Sequence, residues 1–388
     1  VQPNAIEFRP PAVAGRRTPS CAGLAPAPLG PARRVRGRAS PGANAASPRR
    51  ATGRWGWLLA CLLGAAPAMA HDAGVRTLPL WPQGHLPEVV QGPERIGDEG
   101  SAMGAVTRVS QPRMEIHRPA VPNGSAVLIL GGGGYFRIQV GTAARPMAQW
   151  LASIGVTSAV LYYRLPADGW PASAPFADGQ RAMRLLRAHA AELGIDPDRI
   201  GVMGASAGAH LAGILSTRFD HDFYPALDAA DALPSRPAFL AMIYPVVTLK
   251  PPYDTTRTRR ELGTQADAVA AYSVEAHVRP DMPPVFLAHA ADDPIADVGH
   301  SLLMFQAARA QNVPAELHVF ERGGHSWGLG RPGSRVAQWP RLFATWARAH
   351  GFIGAPPAAL QPLTGPGPAP IGPAPATADD HPLEAEGD

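Results

Sequence analysis

The chain has 388 residues, 35 Lys and Arg against 31 Asp and Glu, a formal charge of +4 and two cysteines. The positive charge is confined: ten arginines and a single acid, Glu7, fall in residues 1–70, which leaves 25 basic against 30 acidic groups in the remainder, a net of −5. A net-acidic body excludes recruitment of nucleic acid or an anionic membrane by charge, and with Cys21 and Cys61 both near the N-terminus it excludes a disulfide framework and a cysteine nucleophile.

In chain order, the first 45 or so residues are rich in Pro, Ala, Gly and Arg without periodicity, and they read as a start assigned too far upstream. Arg49, Arg50 and Arg54 then form a positive n-region, Trp55 to Ala66 an apolar run, and Ala68-Met69-Ala70 a small-residue cleavage site before His71. The apolar run is short of the ~20 residues of a membrane span, so a secreted or periplasmic protein with no membrane span is expected. Leu58-Leu59-Ala60-Cys61 resembles a lipoprotein box only faintly, since most of the apolar residues follow the cysteine.

Residues 71–354 alternate buried-type strand runs with amphipathic helices, the pattern of one α/β domain with a mostly parallel central sheet and helices on both faces. Strands are expected at Ala126–Leu130, Val156–Tyr163, Ile200–Met203, Phe239–Pro245, Val285–His289 and Glu316–Phe320, and helices at Ala143–Ser153, Phe176–Leu193 and the run from Ala209. Tyr253–Val278 is less regular and is expected to form a lid or insertion. Residues 355–388 are Pro/Ala/Gly-rich with a final acidic cluster, the composition of a disordered tail.

Gly204-Ala205-Ser206-Ala207-Gly208 lies between a buried strand and a helix. Gly-x-Ser-x-Gly in that setting is a nucleophile elbow: the glycines admit a sharp turn, and the serine hydroxyl is lifted above the sheet. On its own it is a weak match, and Ser206 has the alternative of an ordinary helix cap. Its partners lie downstream in the order Ser, Asp, His. Asp292 and Asp293 follow one strand, and His325 follows another through Gly323-Gly324. Either aspartate can face the imidazole; Asp293, four residues beyond His289 and just before Pro294, suits the position better. His210 and His289 read as structural. Serine needs a histidine to take its proton, and the histidine needs a carboxylate to fix its tautomer. Gly131-Gly132-Gly133-Gly134 after a strand offers backbone N–H groups for an oxyanion, completed by the N–H of Ala207. No Gly-Lys-Ser/Thr follows the glycines, so a phosphate loop is excluded. No cofactor and no metal are implied.

From about Leu78 to Gly354 the chain resembles secreted α/β-hydrolases of the bacterial acetyl esterase and acetylxylan esterase type. The resemblance is carried by Leu80-Trp81-Pro82, Gly131–Tyr135, Leu161–Pro166, Gly204–Leu211, Arg236-Pro237, Ile243-Tyr244-Pro245, Pro283–Pro294 and Gly323-Gly324-His325. It implies a triad of Ser206, Asp293 and His325, oxyanion donors on Gly132, Gly133 and Ala207, and a small-molecule or polysaccharide ester as substrate. Ala205 stands where such relatives carry an aromatic, which should widen the pocket or alter acyl preference. Tyr135 and Trp327 are candidate pocket residues, Trp327 with plain packing as the alternative.

The expectation is a serine carboxylesterase removing a small acyl group, acetyl by resemblance, from a carbohydrate. A prolyl-oligopeptidase-type peptidase shares the residue order but usually adds a propeller domain for which there is no room. A non-catalytic carbohydrate-binding relative would have no need of triad and hole together. Nothing in the sequence specifies an oligomeric state.

Overall fold

A computed structural model of the chain describes residues 75–90 and 92–354. The leader and the tail read from the sequence lie outside them. Eight strands form the main sheet: β1 (Val75–Pro79), β2 (Arg113–His117), β3 (Ala126–Leu130), β4 (Thr157–Tyr162), β5 (Ile200–Ala205), β6 (Leu240–Ile243), β7 (Val285–Ala290) and β8 (Ala315–Phe320). Their spatial order is β1-β2-β4-β3-β5-β6-β7-β8, with the β1–β2 and β2–β4 pairings antiparallel and the remaining five parallel. The four residues Val127–Leu130 of β3 are wholly buried, as a strand covered on both faces must be.

The direction of chain travel reverses at β3. The chain steps back from β3 to β4 through α1 (Arg145–Ser153), then crosses β3 to reach β5 through α2 (Ala174–Ala188) and α3 (Ala190–Leu193). Right-handed crossovers in opposite directions put α1 and α2 on opposite faces. α4 (Ala207–Thr217) leads from β5 towards β6, and α7 (Gly299–Ala310) joins β7 to β8. α8 (Trp339–Ala349) closes the α1 face, where Trp150 packs edge-on against Trp339 and Phe343 at 5.6 and 6.1 Å between ring centres. On the α2 side, helix approach depends on Gly179, where an added Cβ would meet Leu215 Cδ1 at 2.6 Å.

Several expectations need correction. The predicted helix 176–193 is interrupted at His189, where ψ is 12°, and α3 is a separate turn ending in left-handed Gly194. The predicted helix 143–153 begins as a wide π-type turn, Val140–Ala144, before α1 proper. Tyr253–Val278 is more regular than expected and contains α5 (Arg257–Leu262) and α6 (Ala266–Tyr272). The antiparallel strands β1 and β2 were not anticipated.

Four loops at the carboxyl ends of β3, β5, β7 and β8 meet where the strand order reverses. That crevice is where open α/β sheets hold ligands.

Candidate active site

The β5–α4 turn holds Ser206 at φ 55° and ψ −121°, a conformation an L-residue adopts only under strain. The flanking glycines permit it. A Cβ on Gly204 would lie 2.2 Å from Gly208 O, and one on Gly208 would lie 2.1 Å from Leu130 O. Both contacts are with backbone, so neither can yield cheaply. Ser206 is thereby fixed at the N-terminus of α4, whose dipole favours negative charge there.

Ser206 Oγ donates to His325 Nε2 at 2.8 Å, and His325 Nδ1 donates to Asp293 Oδ2 at 2.6 Å. With Nδ1–H committed to the carboxylate, Nε2 is the bare nitrogen that can take the serine proton. Asp293 is buried, and all its acceptor positions are used. Oδ1 accepts from the N–H of Ile295 and Ala296 at 2.8 and 2.9 Å, and Oδ2 also accepts from His289 Nε2 at 3.2 Å. Burial alone would push this carboxyl up. The hydrogen bonds from His289 and His325, with that from the Ala296 N–H, outweigh burial and hold it well below the usual carboxylate range.

Asp292 points elsewhere: its Oδ1 accepts the N–H of Gly323 and Gly324 at 2.8 and 2.7 Å, pinning the loop that carries His325. The two adjacent aspartates thus separate into one that touches the imidazole and one that holds its loop. His289 takes its tautomer from its partners, donating from Nε2 to Asp293 and Ala296 O while Nδ1 accepts from Ser301 Oγ. It braces Asp293, a contact that its place inside a strand did not reveal. His210 is fully buried, donating from Nε2 to Tyr272 O and accepting the Tyr135 hydroxyl at Nδ1. Burial lowers it to about 4 against the opposing pull of the Tyr272 carbonyl.

Gly132 lies against the nucleophile: a Cβ there would meet Ser206 Cβ at 2.9 Å and Ala205 O at 2.7 Å. Gly133, at φ 121°, turns the loop, and its carbonyl accepts from the N–H of Phe136 and Arg137. Among the described residues, the N–H groups of Gly132, Gly133 and Ala207 make no hydrogen bond to a protein acceptor. They are therefore unpaired backbone donors on the glycine loop and at the start of α4, next to Ser206.

A cavity of about 250 Å³ opens on Ser206 and His325, with Gly132, Gly133 and Ala205 in its wall. Neither Tyr135 nor Trp327 lines it. Tyr135, at φ 61°, turns inward beneath the glycine loop and is fully buried with its hydroxyl on His210. Trp327 packs behind the histidine loop, 4.5 Å from the Tyr244 ring and 6.5 Å from those of Phe320 and Trp339. The wall instead includes Arg137, Thr256, Arg257, Thr258 and Ile295, which the sequence alone did not single out. Those from Tyr253–Val278 fit the expected insertion beside the site. A larger groove of about 730 Å³ runs past Trp81, Pro82 and Gln111, but no histidine is in its wall.

A family model described as alpha/beta hydrolase fold matches residues 127–329. The chain is 31% identical over 153 residues to endo-1,4-beta-xylanase B of Butyrivibrio fibrisolvens, covering 39% of this chain and 24% of that protein. It is 26% identical over 219 residues to an acetylxylan esterase of Xylanibacter ruminicola, covering 55% of this chain and 43% of the relative. The chain thus spans less than half the length of either curated relative. A solved acetyl ester-xyloside bifunctional hydrolase from Caldicellulosiruptor lactoaceticus is 30% identical and superposes with a TM-score of 0.61, covering 74% of this chain and all of that one.

Proposed function

Because the chain belongs to the alpha/beta hydrolase fold family, we propose that it is a serine carboxylic-ester hydrolase that removes a small acyl group, acetyl in the first place, from a carbohydrate. The observation that carries this reading is the unbroken pair of hydrogen bonds from Ser206 Oγ through His325 to buried Asp293. Relatives whose names describe acetylxylan esterase and acetyl ester hydrolase support the substrate class. A cavity of about 250 Å³ supports a small acyl group, since pockets for drug-sized ligands run to roughly 300–1,000 Å³.

In the proposed mechanism His325 Nε2 takes the Ser206 proton as Oγ attacks the ester carbonyl. The negative charge that develops on the carbonyl oxygen is held by the N–H groups of Gly132, Gly133 and Ala207, each such donor being worth about 3–4 kcal/mol in the transition state. Collapse expels the sugar alcohol, which leaves with the proton from His325. Water, deprotonated by the same nitrogen, then releases the acid and restores Ser206. Asp293 stays ionised throughout and stabilises the imidazolium. Export after cleavage behind Ala70 and a hydrolase domain over 71–354 complete the reading.

The test is hydrolysis of chromogenic acetate, butyrate and longer esters by the purified protein. Acetate should be preferred, and Ser206→Ala should lower kcat by about 10⁴–10⁶-fold. Bound acetylated sugar without turnover would replace the esterase with a carbohydrate-binding relative.

A further inference from the structure

Arg137 lines the cavity above Ser206 and His325, and the ester chemistry leaves it unused. Its stem packs on the oxyanion loop: a Cβ on Gly133 would meet Arg137 Cγ at 2.9 Å, and the Arg137 N–H donates to Gly133 O at 3.3 Å. The guanidinium lies 4.9 Å from the centre of the Phe136 ring. Its Nε is buried without a hydrogen-bond partner, and among the described residues no carboxylate pairs with it. Burial lowers this guanidinium from its ordinary value with no acidic neighbour opposing, yet an arginine keeps its charge at any working pH.

The surroundings carry the same sign. Arg257 also lies over Phe136, 4.7 Å from the ring centre, and its charge is answered by Glu261 one turn along α5. No Asp or Glu of the described residues lines the cavity. A planar guanidinium held on an aromatic face, in the wall of a cavity without an acidic side chain, suits a carboxylate, which it can meet through two parallel N–H donors.

We propose that Arg137 is a specificity-determining residue that receives a carboxylate carried by the ester substrate, so that the cavity selects acidic sugar esters, with a uronic acid next to the acylated sugar, over neutral ones. The inference rests on the esterase reading and names its substrate class more narrowly. It involves no chemical step beyond the ester hydrolysis already described. Arg137 acts by binding, and its loss changes which ester reaches Ser206 productively.

The experiment compares kcat/KM for an acetylated xylo-oligosaccharide with and without a glucuronic acid branch, beside a chromogenic hemisuccinate and its neutral butyrate counterpart. The acidic sugar ester should be preferred about tenfold or more, as a charge-assisted hydrogen bond would give. Arg137→Gln should bring that ratio close to one, and Arg137→Lys should restore part of it. Preference for the hemisuccinate instead, equally lost in Arg137→Gln, overturns the assignment to a sugar carboxylate and puts the recognised anion on the acyl side. A ratio near one in the unaltered protein, or a preference that survives Arg137→Gln, overturns the proposal. Hydrolysis of chromogenic acetate in the same preparation separates the two failures: with it intact only the role of Arg137 falls, and without it the esterase reading falls too.

Discussion

At the scale of single residues, the adjacent aspartates make the sharpest contrast. Asp293 gives the imidazole its orientation and its counter-charge, whereas Asp292 holds Gly323 and Gly324. Asp293→Asn should therefore cost about 10⁴ in kcat, because the amide can donate to His325 and turn it into the wrong tautomer. Asp292→Asn keeps an oxygen able to accept the two loop N–H groups, and its loss should stay within about tenfold by the same steady-state measurement. Equal, mild losses in both would contradict the assignment. The sequence offered this choice without settling it, since two neighbouring carboxylates in one loop differ only in the direction their side chains take. Tyr135 shows the same limit: adjacency to the glycine loop suggested the pocket, but a positive φ turned the ring inward to His210. Arg137 gave no signal at all, because a lone arginine after a loop looks like any solvated cation.

At the scale of elements, the elbow depends on close approach between backbones more than on propensity. Gly208 faces the carbonyls of Leu130 and Gly131 at 2.1 and 2.6 Å from where a Cβ would sit, whereas Gly324 has nothing within 4 Å and is constrained only by φ 62°. Gly208→Ala should accordingly destabilise by at least the 1–3 kcal/mol typical of overpacking, roughly, and displace Ser206. Gly324→Ala should cost about 1 kcal/mol of left-handed strain. Urea denaturation distinguishes them; equal midpoints would show that β3 and the elbow can part without penalty. β3 and β5, which build the elbow and the glycine loop, were readable because both are fully buried runs that lead into turn glycines. β1 was not, since four of its five residues are exposed and it buries no alternating face. β2 does alternate, with Met114 and Ile116 buried between polar neighbours, and that period-two signal could have been found. The break at His189 was hidden by an uninterrupted helical composition.

At the scale of the whole molecule, buried neutral histidines set the response to acid. His210 and His300 are both lowered to about 4 by burial, His300 with nearby His289 and His210 adding to the effect, and His300 Nδ1 accepts the N–H groups of Val247 and Thr248. In the unfolded chain each would take a proton near pH 6.5, so the unfolded state binds more protons between about pH 6.5 and 4. Their contribution is complete above that window and is lost as the pH falls through it, by on the order of 3 kcal/mol for each histidine at most. Asp293, whose folded value is depressed, adds a second loss below about pH 4, the unfolded carboxylate value. Denaturant midpoints measured from pH 7 to 4 should fall steadily, and a flat profile would mean that one or both imidazoles gain water or a carboxylate on protonation. The parallel sheet, its topological class and the order of the functional loops were legible in the sequence because strand runs and turn glycines are local signals. The cavity wall was not, since it is assembled from side chains separated by more than a hundred residues.

The most direct measurement is mass spectrometry of the protein quenched during turnover of a chromogenic acetate. One acetyl group on the peptide that contains Ser206, absent from Ser206→Ala and accumulating in His325→Ala no faster than background, is the expected result. Turnover with no acetyl on that serine, or acetyl on another residue, would contradict the acyl-enzyme route through Ser206.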